Sequence, residues 1–99
     1  MGKMIAHVHP GEILLEDFLK PMGISQNKLA LAMRVPANRV NEIVRGKRNI
    51  SAETALRLGL AIGTSAEVWL NLQTSYDLRV AEDSVGESLR KEVIKLHAE

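Results

Sequence analysis

Apolar residues recur along this chain at intervals of three or four, which is the spacing of one face of an α-helix. The first such stretch places Ile13, Leu14, Phe18 and Leu19 on a common face, and the spacing recurs as far as Leu96. No segment of useful length alternates apolar and polar residues in the manner of a half-buried strand. The pattern therefore predicts an all-α protein.

Capping residues and helix breakers predict five or six short helices. Ser25, Ser51 and Ser65 each stand where a hydroxyl can accept an N–H of a first helical turn. Two further helices are predicted to start at Pro10 and Pro36. Helix ends are predicted at Pro21 together with Gly23, at Gly46 and at Gly63. The fourth predicted helix carries apolar Ala55, Leu56, Leu58, Leu60 and Ile62, and the fifth carries Val68, Trp69, Leu72 and Tyr76.

A last helix is predicted from about Val85 to Leu96. Its apolar residues Val85, Leu89, Val93 and Leu96 are spaced i, i+4, i+8 and i+11, which makes a narrow stripe. A helix of about twelve residues is marginal in water by itself. We therefore expect the stripe to cover a surface of the same chain or of a partner.

Composition limits the class of protein. A chain of 99 residues fits a single domain, and the absence of cysteine excludes disulfides, thiolate metal sites and cysteine nucleophiles. No apolar run approaches the roughly 18 residues that span a bilayer, and residues 1–9 are too short and mixed for a secretion signal. These features predict a cytoplasmic protein without a membrane segment.

Charge is concentrated in one stretch. The whole chain has a net charge of +1, but residues 25–50 hold six basic side chains against Glu42 alone. Such a local positive field is typical of a phosphate-binding surface, although a solvated face without a partner would have the same composition.

The same stretch has the spacing of a helix-turn-helix. Two helices that cross steeply through a tight turn need large apolar residues in the angle and a small residue at the closest approach. With Gln26 as position 1, small Ala30 takes position 5, and positions 4, 8, 10, 15 and 18 are Leu29, Met33, Val35, Val40 and Ile43. An αα-hairpin without a role in DNA binding is the alternative.

This arrangement resembles the phage-repressor-like (Cro/CI, or XRE) helix-turn-helix family over about residues 12–72, with the motif at 25–45. The resemblance implies a five-helix DNA-binding domain, here followed by a C-terminal extension at 77–99 that we expect to be helical and related to dimerisation. Position 9 of the motif is commonly Gly, because the backbone there adopts a positive φ. This chain has Arg34 instead, which predicts some strain in the turn.

By the same resemblance the second motif helix lies in the major groove and reads bases with its first turns. Asn pairs with adenine, Arg with guanine, and a methyl group packs on thymine. The predicted base-reading residues are Ala37, Asn38, Arg39 and Asn41. The predicted contacts to the DNA backbone are Gln26, Asn27, Lys28, Arg45, Lys47, Arg48 and Asn49.

Glu42 stands out on this basic face, because phosphate would repel it. We expect it to pair with Arg45 at i+3 or Arg39 at i−3; a contact to a cytosine amino group is the alternative.

One domain of this size reads about four or five base pairs, so we expect a homodimer on a pseudo-palindromic operator of double-stranded DNA. The predicted interface lies in the fifth helix and the C-terminal segment, with Trp69, Tyr76, Leu89 and Val93 as candidates. Packing of Trp69 inside the monomer core is the alternative.

Further blocks resemble the HigA-type antitoxins of this family, to about residue 80. They are HPGEIL (9–14), RVNEI (39–43) with GKR (46–48), TALRL (54–58), WLNLQ (69–73) and YDL (76–78). The resemblance implies a bacterial antitoxin that neutralises a RelE-like, mRNA-cleaving toxin of HigB type and represses its own operon. A basic toxin would favour an acidic surface, for which Glu12, Glu16, Asp17 and the acidic C-terminal portion are candidates. A solvated helix face without a partner explains these residues equally well.

Other functional classes have weaker support in the sequence. We predict no metal site, because the spacing of His7, His9 and Glu12 does not place three ligands on one helix face. We also predict no enzyme and no cofactor, because the sequence indicates neither a Ser-His-Asp arrangement nor a glycine loop that would hold a phosphate. A stand-alone XRE-type repressor without a toxin is the closest alternative. A protein that uses the fold for interaction without DNA is a third.

Overall fold

The structure, a computed structural model, describes residues 7–98, and within that range every regular element is a helix. The predicted all-α class is therefore confirmed. Helix α1 is formed by three consecutive segments, Pro10–Ile13, Leu14–Leu19 and Lys20–Met22. Helix α2 is Gln26–Met33, α3 is Ala37–Val44 and α4 is Ala52–Ile62. Helix α5 is again formed by three consecutive segments, Ala66–Ala81, Glu82–Gly86 and Glu87–Glu92.

Helix α1 contains a widened segment. The turns at Leu14–Leu19 are π-helical, and the N–H of Lys20 donates to the carbonyl of Leu15. Pro21 has no N–H to give to the α-helical ladder, and a wider turn before it accommodates that loss. The helix ends as predicted, with Gly23 in the left-handed region at φ 68°.

The three predicted serine caps are all formed. The hydroxyls of Ser25, Ser51 and Ser65 accept hydrogen bonds of 3.0 to 3.2 Å from the N–H groups of Lys28, Thr54 and Val68. Helix α3 begins at Ala37, one residue after the predicted start, because Pro36 takes the N-cap position. Capping between residues three apart is local chemistry, which explains why the sequence predicted these helix starts so closely.

The core forms where α2, α3 and α4 meet α1 and the first half of α5. Trp69 is fully buried and lies 5.3 Å from Phe18 between ring centres, and its Nε1 donates to Thr64 Oγ1 at 2.7 Å. The structure thus places Trp69 in the monomer core and not among the dimer contacts, because it has no surface left for a partner. The other fully or almost fully buried apolar residues are Leu14, Leu19, Leu29, Ala30, Met33, Val40, Ile43, Ile50, Ala55 and Leu58.

Two of the apolar residues of α4 do not face the core. Leu56 and Leu60 are 59% and 87% exposed, whereas Leu58 between them is completely buried. Residues two apart in a helix point about 200° apart, so Leu58 and its two neighbours cannot share one face. The buried side of α4 is completed by Ala55 and Gly59.

The predicted separate last helix is also wrong. Helix α5 continues without a break from Ala66 to Glu92, through a π-helical segment at Glu82–Gly86, and the chain becomes extended at Val93. No breaker stands between Tyr76 and Val85, so the earlier helix has no reason to stop. Leu96 lies beyond the helix and does not continue the stripe of Val85 and Leu89.

The distal part of α5 projects from the core. From residue 77 to residue 98 only Gly86, under the side chain of Glu82, is buried. The radius of gyration is accordingly 16.8 Å, against about 13 Å for a compact domain of this length. None of the described helices is long and apolar enough to cross a membrane.

Candidate nucleic-acid interface

Helix α3 is held against α2 by the predicted packing angle. Leu29, Ala30, Val40 and Ile43 are each exposed by 2% or less. With that face of α3 buried, its opposite face necessarily points to solvent. The angle between the helices is thus set by the small side chain of Ala30 and the large ones around it.

The turn between the helices has the predicted unusual backbone. Arg34 adopts φ 61° and ψ 43°, and among residues 7–98 it alone has a positive φ without being a glycine. Its N–H donates to the carbonyls of Ala30 and Leu31, and the N–H of Val35 also donates to Ala30. A second brace comes from Arg57, which donates to the carbonyl of Met33 at 2.7 Å.

The four predicted base-reading residues lie in the first half of α3. Ala37, Asn38 and Asn41 are exposed, and Arg39 is half-buried at the edge of the face. The structure therefore brings a methyl group and two amides to one accessible face of α3, and the guanidinium of Arg39 lies at the edge of that face, about 200° around the helix from Ala37. This set can read thymine, adenine and guanine edges in a major groove.

Asn41 is oriented by the start of α2. Its Nδ2 donates to Oε1 of Gln26 at 3.2 Å. A bidentate contact to adenine needs one amide hydrogen and the amide oxygen of an asparagine. Both remain free on Asn41, so the pairing with Gln26 fixes its rotamer without consuming the atoms that would read a base.

The predicted partners of Glu42 are wrong. Its carboxylate accepts a hydrogen bond of 2.8 Å from Nε of Arg48, not from Arg39 or Arg45. The chain turns back after α3, and the N–H of Lys47 donates to the carbonyl of Glu42. That reversal brings Arg48 beside Glu42, a fold-dependent contact that helical spacing does not predict.

The remaining cations of the basic stretch have no acidic partner within the described residues. Lys28, Arg39 and Lys47, together with Arg34 and Arg45, form no ion pair there. All are exposed except the half-buried Arg39. Asn27 and Asn49 are exposed and Gln26 is half-buried at the same surface. The surface therefore keeps a positive field that suits phosphate.

The loop after α3 begins with a sharp turn at Gly46, whose φ of 74° suits glycine. It carries Lys47, Arg48 and Asn49 and ends at Ile50, which is buried. The N–H of Ile50 donates to Oε1 of Gln73 at 2.8 Å. Gln73 is 5% exposed, and its Nε2 donates to Oδ1 of Asp77 at 2.9 Å.

The start of α1 supports the other side of this loop. Nδ1 of His9 accepts a hydrogen bond of 2.9 Å from the N–H of Gly11. A Cβ atom on Gly11 would overlap the carbonyl of Ile43, so the first turn of α1 lies directly on the last turn of α3. His9 and Gly11 therefore position α3, a role that the sequence signalled only through the HPGEIL block.

The burial of His9 disfavours its charged form. Burial lowers the pKa of His9 below 6.5, although Asn49 and the charge of Asp77 act in the opposite direction. Its Nε2 has no hydrogen-bond partner of good geometry among the described residues. Because Nδ1 already accepts from Gly11, protonation would place two donors face to face.

The other interface candidates divide by exposure. Tyr76 is half-buried and packs edge-on against His9 with 4.9 Å between ring centres. Leu89 and Val93 are 46% and 66% exposed on and just after the projecting half of α5. His7, considered above with His9 as a metal ligand, instead pairs with Asp83.

Comparison with known proteins identifies the arrangement. The family described as "Helix-turn-helix" matches residues 15–69, which is more than half of the chain and includes α2, its turn and α3. The chain belongs to this family. The family consists of helix-turn-helix regulators of XRE type, which is not an enzyme class.

Individual relatives extend the likeness to almost the whole chain. "Virulence-associated protein I" of Dichelobacter nodosus is 57% identical over 75 residues, covering 76% of this chain and 69% of the relative. The solved structure "Pseudomonas aeruginosa antitoxin HigA with higBA promoter" is 44% identical, with 93% of this chain and 100% of that one covered at a TM-score of 0.89. "Antitoxin GraA in complex with its operator" is 46% identical, with 95% of each chain covered at a TM-score of 0.88. The resemblance to HigA-type antitoxins is thus confirmed.

Proposed function

We propose that this protein is the DNA-binding antitoxin of a type II toxin–antitoxin system. As a homodimer it binds a pseudo-palindromic operator of its own operon and represses it, and it neutralises a RelE-like, mRNA-cleaving toxin of HigB type in the cytoplasm. The observation that supports the DNA-binding part of this proposal is the exposed surface of α3. Its accessible base-reading groups are flanked by cations that have no acidic partner within residues 7–98.

On this surface the roles divide by position. Ala37, Asn38, Arg39 and Asn41 read bases, because they occupy the first turns of α3. The first two and Asn41 project from its exposed face, and Arg39 reaches out from the edge of that face. Phosphates are held by the start of α2 and by the loop after α3, through Gln26, Asn27, Lys28, Arg45, Lys47, Arg48 and Asn49. Arg48 contributes less than Lys47, since Glu42 neutralises it.

Dimerisation uses the projecting half of α5. Leu78 and Leu89 on this half of the helix and Val93 just after it are between 46% and 66% exposed. A second copy of the same helix would bury this apolar surface and set two α3 helices at the separation of operator half-sites. Two phosphate-binding surfaces on one dimer also raise affinity beyond that of one domain.

The proposal that the protein neutralises a toxin is supported by its similarity to the solved structure of the Pseudomonas aeruginosa antitoxin HigA, which is 44% identical and covers 93% of this chain. Acidic candidates for contacting a basic toxin are exposed on α1, where Glu12 and Asp17 form no ion pair among residues 7–98 and Glu16 pairs with Lys20 at 2.9 Å.

The DNA-binding role is tested on the native promoter. Combined Arg39→Ala and Asn41→Ala should weaken operator binding by at least roughly tenfold and erase preference for the operator, since a good bidentate contact contributes about 1–3 kcal/mol of discrimination. Lys47→Ala should weaken binding to all sequences alike and lower the salt slope by about one unit per protomer. If the double variant keeps its affinity and preference, the base-reading assignment is wrong.

The antitoxin role is tested by co-expression with the product of the adjacent gene, followed by co-purification and assay of mRNA cleavage. A stable complex that suppresses cleavage is expected. If the neighbour neither binds nor is inhibited, the protein acts as a stand-alone XRE-type repressor. The specific observation that favours this second function is that the whole DNA-facing surface lies within one chain and needs no toxin to complete it.

A further inference from the structure

Two blocks of the sequence, HPGEIL and WLNLQ with YDL, meet at the loop that follows α3. From one side, His9 and Gly11 place the start of α1 on the last turn of α3. From the other, Gln73 of α5 reaches the backbone of the loop at Ile50. These blocks are far apart in sequence, and neither contributes a predicted DNA contact.

The loop depends strongly on Gln73. Of the main-chain N–H groups of residues 48 to 51, only that of Ile50 donates a hydrogen bond within the described part of the chain. Ile50 is 3% exposed and Gln73 is 5% exposed, so water does not readily replace this bond. The loop that carries Lys47, Arg48 and Asn49 is thus fastened at its far end by two buried side chains, that of Ile50 in the core and that of Gln73, which accepts from the N–H of Ile50.

Glutamine meets a double requirement at this position. Its oxygen accepts from Ile50 at 2.8 Å, while its nitrogen donates to Asp77 at 2.9 Å. Glutamate would set a second carboxylate against Asp77. Methionine would fill a similar volume but leave the buried N–H of Ile50 without an acceptor.

We propose that Gln73 is the positioning residue of the phosphate-binding loop, holding its main chain so that Lys47 and Asn49 face the DNA backbone. The proposal rests on the proposed DNA binding and adds a residue that touches no DNA. Because Gln73 lies on α5, it also fixes the loop to the helix whose distal half carries the exposed Leu89 and Val93. The loop of each protomer is thereby placed relative to the dimer helix.

The test compares Gln73→Met and Gln73→Glu with wild type, with Thr74→Ala as a matched control at an exposed neighbouring position of α5. Operator affinity, salt slope and amide hydrogen exchange are measured well below each protein's unfolding midpoint. Both Gln73 variants should bind roughly tenfold more weakly. Their salt slope should fall by about one unit per protomer, and the Ile50 amide should exchange faster while core amides keep their protection.

Exchanging the two polar groups provides a rescue. In the double variant that combines Gln73→Glu with Asp77→Asn, one oxygen of the introduced carboxylate can accept from Ile50. The introduced asparagine amide can donate to the other oxygen of that carboxylate. Affinity and slope should therefore return most of the way to wild type. A general loss of fold would instead appear as faster exchange throughout the core and would not be rescued.

Two results would overturn the proposal. One is an unchanged affinity and salt slope in a Gln73→Met protein whose Ile50 amide exchanges faster. The other is an affinity loss that matches only the fraction of unfolded protein. If the wild-type protein does not bind operator DNA at all, the proposed function itself is refuted, and this inference with it. The titration of the wild-type protein separates that case from a failure of the Gln73 inference alone.

Discussion

Replacing Arg34 by glycine should stabilise the protein. Arg34 holds φ 61° and ψ 43°, a left-handed backbone that costs a residue with a Cβ atom about 1–2 kcal/mol. Glycine removes this cost but gains freedom in the unfolded chain, which offsets about 0.4–1 kcal/mol. The expected net gain is therefore about 0.5–1 kcal/mol, or a rise of about 4 °C in Tm for a domain of this size.

Arg34→Ala is the matched control for the lost charge. Alanine keeps the Cβ atom, and with it the backbone cost, while it removes the guanidinium, which forms no ion pair within residues 7–98. In denaturant titrations, the free energy of unfolding of Arg34→Ala should lie within about 0.5 kcal/mol of the wild-type value. That of Arg34→Gly should be higher than both. Operator affinity should change equally in the two variants, because each loses the same charge.

An Arg34→Gly protein that is no more stable than Arg34→Ala would contradict this prediction. That result would mean that the left-handed backbone at residue 34 costs no more than the extra freedom that glycine has in the unfolded chain.

Two further predictions concern the start of α1. Gly11→Ala should lower the free energy of unfolding by about 1–3 kcal/mol in a urea titration, because its methyl group would collide with the backbone of Ile43; an unchanged midpoint would show that α1 does not rest on α3. His9 should make the free energy of unfolding depend on pH, because burial holds its pKa below 6.5 in the folded protein. This contribution to stability is fully present above pH 6.5. It is lost on acidification, by up to about 1.4 kcal/mol per pH unit, because the unfolded chain takes up a proton more readily than the folded one. His9→Asn retains a capping side chain and should lose this component of the profile, and parallel profiles for the two proteins would contradict the assignment.

Several features of the DNA-facing surface were predictable because they depend on neighbours in sequence. The Ser25 cap of α2 joins residues three apart, and the αα angle follows from the sizes of Leu29, Ala30 and Val40 at fixed helical spacing. The left-handed turn at Arg34 was predictable for the same reason, since the motif fixes its position even where the residue departs from glycine.

Contacts between distant segments were not predictable in this way. Glu42 could be assigned a partner only by helical spacing, which proposes Arg39 and Arg45, whereas the turn after α3 brings Arg48 to it. Likewise Gln73 could be placed on α5 from its neighbours, but not opposite the N–H of Ile50, 23 residues earlier in the chain.

Hydrogen bonds and side-chain spacing within a few residues settle the helix starts, their caps and the helix-turn-helix angle, so these features could be predicted from the sequence. The exposure of Leu56 and Leu60 and the hydrogen bond by which Gln73 holds the loop after α3 depend instead on tertiary contacts. The physical reason is that burial and buried hydrogen bonds depend on which faces of distant helices meet. The spacing of apolar residues shows which helix faces could be buried but not which of them is buried.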